Sequence, residues 1–308
     1  MRILIIGLGS IGRRHLKVLQ EIGGHQVAAL RSRKGTLKEN SGIVEFTSVD
    51  EALAFGPDAV IVANPTSLHV ESSMPFLKAG CKLLIEKPIA HSTVEAQKIE
   101  RFKDQIRVAY CLRFLPISKF VRTILEEESI FKISFKRSFY LPKWHAYADY
   151  RKEYTARKDL GGGVIRTLSH EIDLAMHWLG KPNKTVGIVD KLSPLDINVD
   201  DIAFLSMKMN NGARVNMELD FYSPRNINQA ELFTEKGKYF WDAQRLEFMG
   251  YDYSEPQVIQ KFGQVYDQMY NDQIRDFLNF VKGEESLNCS FEESVWVSDV
   301  IEEIERDY

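Results

Sequence analysis

Apolar and polar positions along the chain follow two rhythms that change near residue 115. In the first part, short continuous apolar runs lie at 2–6, 26–30, 59–63, 82–85 and 106–110, with a shorter one at 43–46. Runs of this length suit parallel strands covered on both faces. Helical spacing fills the gaps. Ile11, Leu16, Leu19 and Ile22 share one helical face. Residues 49–55 read as a short helix stopped by Gly56-Pro57, and a helix carrying Met74, Phe76 and Leu77 ends at Gly80. Another is expected over 91–102, with Ser92 or Thr93 near its cap. Strands alternating with helices predict a doubly wound parallel sheet.

After residue 115 a helix is expected over 118–128, and then period-two patterns dominate. Candidate strands lie at 130–139, 185–190, 202–209, 214–221, 229–234, 238–242 and 245–248. Asn210-Asn211-Gly212 and Glu235-Lys236-Gly237 have hairpin composition. Strands joined this way predict a largely antiparallel sheet with one face covered. A helix ending near Leu179-Gly180 and another over 272–280 complete the pattern. The predicted fold class is α/β. A Rossmann-type domain spans 1–115, and an α/β domain with a large, mostly antiparallel sheet spans 116–308, its C-terminal helix packing back on the first.

Composition narrows the function classes. A chain of 308 residues with 44% hydrophobic and 27% charged residues is an ordinary globular length and mixture. Lys plus Arg is 40 against 43 for Asp plus Glu, and this near balance predicts neither nucleic acid nor a membrane surface as partner. No apolar run reaches a bilayer-spanning length. The N-terminus reads straight into a strand without a signal-peptide pattern, so a cytoplasmic location is expected. Cys81, Cys111 and Cys289 are odd in number and far apart, which predicts reduced thiols and no metal site.

The first candidate chemistry is Gly7-Leu8-Gly9-Ser10-Ile11-Gly12, between a strand and a helix. In that context G-x-G-x-x-G is the dinucleotide-binding fingerprint. Gly7 allows the tight turn, Gly9 lets a pyrophosphate approach the backbone, and Gly12 lets the helix pack on its strand. Ser10 and Ile11 bring free helix N-terminal N–H groups to the phosphates. At the end of the second strand, an NAD-preferring site usually has an acid for the ribose hydroxyls. Arg31-Ser32-Arg33 stands there instead, which favours the 2′-phosphate of NADP while leaving NAD open. The alternative is a solvated basic loop. Asn64 and Pro65 close the 59–63 strand at the edge where ligands bind in such sheets. His69 either touches the same site or packs in the structure. Glu86-Lys87-Pro88 ends the next strand, where Lys87 can point an ammonium at a substrate hydroxyl and Glu86 can pair with it or bind a ribose.

The ordered set Gly7-x-Gly9-x-x-Gly12, Asn64-Pro65 with His69, and Glu86-Lys87-Pro88 resembles the glucose–fructose oxidoreductase/inositol dehydrogenase/MocA family. The resemblance implies that Lys87 is an active-site residue and that Pro88 often follows a cis peptide. Arg113-Phe114-x-Pro116 is similar to the family segment where the chain crosses to its second domain, and Arg113 either reaches the cofactor or pairs structurally.

In the second part, Gly161-Gly162-Gly163 precedes Ser169-His170-Glu171-Ile172-Asp173. His170 and Asp173 are three apart, on one helical face, a spacing that suits an acid/base pair as well as a structural one. The resemblance implies that His170 is the proton acceptor and Asp173 a polar partner. Many relatives carry an acid one turn earlier. Here Arg166 and Thr167 occupy that turn, and Thr167 can still hydrogen-bond substrate. The loop 141–154, with Trp144, Tyr150 and Arg151, offers flat apolar faces and hydrogen-bond donors. It is similar to a Leu-Pro-x-Trp loop of relatives that occur with sugar-modifying enzymes. Its readings are a sugar, a sugar carboxylate, a nucleotide diphosphate, or packing at a subunit interface.

Together these features imply an NAD(P)-dependent oxidoreductase. Hydride passes between nicotinamide and a secondary alcohol or ketone of a sugar, a sugar derivative, possibly nucleotide-linked, or a cyclitol. The alternatives are an imine or enone reductase on the same fold, or a non-catalytic NAD(P)-binding sensor. The free face of the second sheet predicts a homodimer or homotetramer.

Overall fold

The computed structural model describes residues 1–32, 42–144, 149–252, 254–263 and 266–306. The chain runs through β1 (Arg2–Ile6), α1 (Ser10–Ile22), β2 (Gln26–Leu30), β3 (Val44–Phe46), α2 (Val49–Ala54), β4 (Ala59–Val62), α3 (His69–Lys78), β5 (Lys82–Ile85), α4 (Thr93–Gln97) and β6 (Ile106–Val108). It continues with α5 (Pro116–Glu127), β7 (Ile130–Tyr140), α6 (Leu141–Trp144), α7 (Val164–Thr167), α8 (His170–Leu179), β8 (Pro182–Asp190) and β9 (Ile202–Met209). Then come β10 (Arg214–Asp220), β11 (Tyr222–Thr234), β12 (Gly237–Asp242), β13 (Arg245–Gly250), β14 (Gln257–Lys261), α9 (Tyr266–Val281), β15 (Cys289–Ser290) and α10 (Phe291–Glu305). Two compact units result. Met1–Phe114 and Asp267–Ser298 form the first, and Leu115–Tyr266 with Asp299–Tyr308 form the second.

The first unit is built on a sheet of order β15-β6-β5-β4-β1-β2-β3. Strands β1 to β6 are parallel and β15 is antiparallel to β6, the doubly wound arrangement read from the sequence. Ile3, Ile5, Ala29, Ala59, Ile61 and Leu84 project from one face into a core shared with Leu16 and Leu19 of α1 and with Ile274, Phe277 and Leu278 of α9. Each large side chain so buried contributes roughly 2 kcal/mol. Register makes this core matter for function. Ile6 lies opposite Leu30 and Val62, Val62 opposite Ile85, and Ile85 opposite Val108. The strands therefore end in one row. Arg31, Gly7, Ala63, Glu86 and Ala109 leave the sheet side by side at its carboxyl edge. The ladder continues one step past the ends, with Gly7 N–H donating to Leu30 O at 3.0 Å, Ala63 N–H to Ile6 O at 2.8 Å and Glu86 N–H to Val62 O at 2.9 Å.

The helix expected over 91–102 is broken. Ser92 caps α4 by accepting from the Glu95 N–H at 3.2 Å, and a 3-10 stretch, Glu100–Gln105, follows the fully buried Ile99. The two-residue β15 is too short to leave a periodic signal.

The second unit carries a sheet of order β14-β13-β12-β11-β7-β10-β9-β8. Neighbours are antiparallel except β7 and β10. Ile133, Phe135, Leu205, Met207, Val215, Met217, Leu232 and Trp241 are buried on it. Trp178 of α8 stacks on Phe135 at 6.0 Å and meets Trp241 at 5.3 Å. Strand β11 starts before the expected residue 229, because a register irregularity between Tyr222 and Ile227, spanning Pro224, breaks the alternation. Strand β14 is exposed along its whole length at the sheet edge, so it has no apolar face to show in the sequence. Among the described residues, no helix is long and apolar enough to cross a membrane, and no group of His, Cys, Asp and Glu could hold a metal ion.

Candidate active site

The candidate residues form two constellations, one in each unit. In the first, the glycine turn follows β1. Gly7 has φ +89°, and a Cβ on Gly12 would stand 2.1 Å from the Gly7 carbonyl oxygen, so the close approach of helix to turn requires glycine at position 12. A Cβ on Gly9 would meet nothing within 4 Å, so the space beside it is open to a ligand. Gly9 is the N-cap of α1, with no side-chain cap and no acid in the first turn. The positive end of the helix is thus left for an external anion. Turn, open approach and uncapped helix end fit a dinucleotide pyrophosphate, which the backbone of Gly9, Ser10 and Ile11 would meet.

Around this turn the sequence candidates divide. Arg31 leaves β2 beside Gly7, and its guanidinium pairs with Glu45 of β3 at 2.9 Å. Ser32 is exposed next to it, and Arg33 lies outside the described residues. The Asn64 amide donates to the Ser72 hydroxyl at 2.7 Å, and Pro65 leads into the start of α3. His69 is fully buried, with Nδ1 3.0 Å from Pro88 O and Nε2 2.9 Å from Asn64 O. It straps the Asn64-Pro65 turn to the Lys87-Pro88 turn. Burial lowers its pKa against the opposing pull of those carbonyls. Arg113 is also a structural group, buried and paired with Glu293 at 3.2 Å. Desolvation raises the Glu293 pKa, but the guanidinium and the Ser290 groups outweigh it and bring it below its ordinary value.

Lys87 follows β5, and its peptide bond to Pro88 is cis. Glu86 is clamped on both oxygens. Oε1 lies 2.7 Å from His15 Nε2, and Oε2 accepts from the Lys87 N–H at 3.3 Å. Cys111 and Tyr270 are hydrogen-bonded to each other nearby. Burial first, and the Glu86 charge second, push the thiol up to about 12, so Cys111 is a neutral packing group. The Tyr270 hydroxyl is likewise raised, by Cys111 and then by burial. His15 and Tyr270 went unread in the sequence. The one available signal for His15 is its position beside Leu16 on the packed face of α1.

In the second unit His170 opens α8, and Asp173, almost fully buried, follows on the same face. Thr167 is buried at the end of α7. Asp200, which sequence reasoning missed, fixes the approach to this pair. The Ile165 N–H donates to its Oδ2 at 3.1 Å and the Val164 N–H to its carbonyl at 3.1 Å. Burial drives the Asp200 pKa up to about 6, with Glu305 adding to the rise and the Ile165 N–H opposing it. Arg166 is tied to Glu305 through Nε at 2.7 Å and through a second, shorter contact from Nη2. The described candidates of the substrate loop each have a protein partner. Trp144 packs edge-on against Phe139 at 4.1 Å, the Tyr150 hydroxyl accepts from the Asp196 N–H at 3.2 Å, and Arg151 forms a fork on Asp149 at 2.8 and 2.9 Å.

Comparison with known proteins places this geometry. Residues 1–110 match the oxidoreductase family with an NAD-binding Rossmann fold, and residues 119–240 match the GFO/IDH/MocA C-terminal domain. The chain belongs to the GFO/IDH/MocA family of NAD-binding oxidoreductases. It is 26% identical over 263 residues to an uncharacterized oxidoreductase of Synechocystis sp., covering 77% of this chain and 70% of that one. It is 24% identical over 234 residues to an inositol 2-dehydrogenase of Corynebacterium glutamicum, covering 71% and 67%. The fold is similar to that of a UDP-N-acetylglucosamine 3-dehydrogenase from Acidithiobacillus ferrooxidans, with TM-score 0.81, 20% identity and coverage of 99% and 96%.

Proposed function

We propose that this protein is a dehydrogenase of a sugar or cyclitol. It moves a hydride between a CH–OH carbon and a nicotinamide dinucleotide, as the notions of inositol and sugar-nucleotide dehydrogenase attached to its relatives suggest. The observation that carries the reading is the row of strand ends in the first unit. Arg31, Gly7, Ala63 and Glu86 emerge on four adjacent strands. Three strand spacings span roughly 14 Å, which leaves room for an extended dinucleotide along the edge with Lys87 at its far end. The bound cofactor supplies the hydride acceptor or donor, and the protein supplies position and field. Lys87 donates a hydrogen bond to the substrate oxygen and favours the alkoxide that develops as hydride leaves. His170 takes the hydroxyl proton, and Asp173 orients the ring or the substrate. Thr167, Trp144, Tyr150 and Arg151 are the remaining substrate candidates.

NADP is the favoured cofactor, from the cationic end of β2. The assembly is a homodimer or homotetramer formed through the outer face of the second sheet, where Ile188 and Phe204 stand opposite each other, both exposed. The proposed location is the cytoplasm. The test is turnover of Lys87→Met and His170→Ala on a panel of sugars and cyclitols. Each is expected to lose roughly 10²–10⁴-fold in kcat while binding the dinucleotide normally. Near-normal turnover in both removes the assignment.

A further inference from the structure

The second strand of the first unit ends without the acid that an NAD site ordinarily places there, yet a carboxylate stands at that position from another strand. Glu45 lies on β3, registered opposite Ala29. Ala29 faces the core shared with α1, and Arg31, two residues on and just past the end of β2, keeps the line with its N–H bonded to Phe46 O at 3.0 Å, so Ala29, Arg31 and Glu45 share one face. The face is the one that α1 covers. The Gly7 N–H bond to Leu30 O ties the glycine turn directly to the residue before Arg31. The guanidinium and the carboxylate meet at 2.9 Å, each side chain retaining some exposure, at 12% and 17%. Glu45 is the middle residue of the edge strand β3 and is half-buried rather than free in water.

We infer that Glu45 is a cofactor-specificity residue that makes the site accept both dinucleotides. Its carboxylate accepts the adenosine-ribose hydroxyls of NAD, the role of the missing acid. Arg31, held beside it, binds the 2′-phosphate of NADP. Each group weakens the other's discrimination. The carboxylate repels the phosphate that the guanidinium attracts, and the guanidinium draws off part of the charge that would receive the diol. A lone acid would exclude NADP, and a lone arginine would disfavour NAD. The inference rests on the proposed reading that the end of β2 meets the adenosine ribose.

The experiment is titration of the full chain with NADH and with NADPH at fixed ionic strength, followed by nicotinamide fluorescence. The unaltered protein is expected to bind both with dissociation constants within about tenfold of each other. Glu45→Gln is expected to weaken NADH and tighten NADPH, moving their ratio by about tenfold toward NADPH, the scale of one charge-assisted hydrogen bond. Arg31→Gln, with Glu45 left in place, is expected to move the ratio by a similar factor toward NADH, and this arm stands even if Glu45→Gln folds poorly. A ratio unchanged by Glu45→Gln but shifted by Arg31→Gln overturns the inference and keeps the site, leaving Glu45 as a brace. Weaker NADPH binding in Glu45→Gln overturns it in the same way. If neither variant moves the ratio, or neither dinucleotide binds, the reading of this edge as the adenosine-ribose site fails as well.

Discussion

His15 of the glycine-turn helix and Glu86 of the lysine turn are joined by a hydrogen bond of 2.7 Å. The acceptor is a carboxylate, so Nε2 carries the hydrogen, and among the described residues Nδ1 meets no hydrogen-bond partner. The bond links the helix that would receive phosphate to the residue that fixes the Lys87 backbone. His15→Phe leaves Glu86 Oε1 without its donor and is expected to lower stability by about 1–3 kcal/mol in urea unfolding. His15→Gln, which offers an N–H again, is expected to recover part of that loss. Equal midpoints for the unaltered protein and His15→Phe would show that the bond adds nothing.

Gly163 should not tolerate a side chain. Its φ is +121°, and a Cβ there would stand 2.3 Å from Oδ1 of the buried Asp200. The carboxylate is held by the Ile165 N–H and cannot retreat without leaving that donor open. Gly163→Ala is expected to cost about 2–4 kcal/mol, the sum of backbone strain and overpacking. Because α7 leads directly to His170, turnover is expected to fall with it. Thermal melts and kcat on the same preparation check both effects. A melting point unchanged from the parent would mean that the loop yields easily.

Much of the fold was legible because its signals are local. The apolar runs of β1, β2 and β4 and the alternation of β9 are the direct imprint of burial on both faces and on one. The glycine turn and the His170–Asp173 spacing are also local. The pairings across the chain were not legible. Arg113 meets Glu293 across 180 residues, and Arg166 meets Glu305 across 139. Nothing in either neighbourhood shows that the charge is already matched. The sequence leaves His69 open between the site and packing for the same reason, since its two carbonyl partners come from different turns. Glu45 was passed over because a single acid between two apolar residues carries no motif.

The outer face of the second sheet offers a test of assembly. Ile188 and Phe204 are directly paired across β8 and β9, with 63% and 42% of their surface exposed. An apolar cross-strand pair left in water contributes little to a monomer and a good deal to an interface. Phe204→Lys is therefore expected to leave the melting point of the isolated subunit nearly unchanged and to shift the protein to a smaller species in sedimentation velocity. A parent protein that is already monomeric would end the proposal. So would a variant with the parent's mass.

Asp200 predicts a pH dependence of stability with a definite sign. Burial raises its pKa to about 6, above the ordinary carboxylate value. A carboxyl group raised by folding binds its proton more tightly in the folded state. It therefore favours folding most below its unfolded pKa, and that contribution is lost as pH rises through about 6. At roughly 1.4 kcal/mol per tenfold, the rise amounts to about 3 kcal/mol at neutral pH. Asp200→Asn keeps an oxygen for the Ile165 N–H and carries no charge to bury. Relative to the parent, this variant is expected to gain stability between about pH 3.8 and pH 6, the interval between the ordinary and the raised pKa, and to gain no more above it. Other groups titrate in both proteins alike, so the difference between the two melting curves isolates Asp200. Parallel curves across that window would mean that water or a local opening solvates the carboxylate.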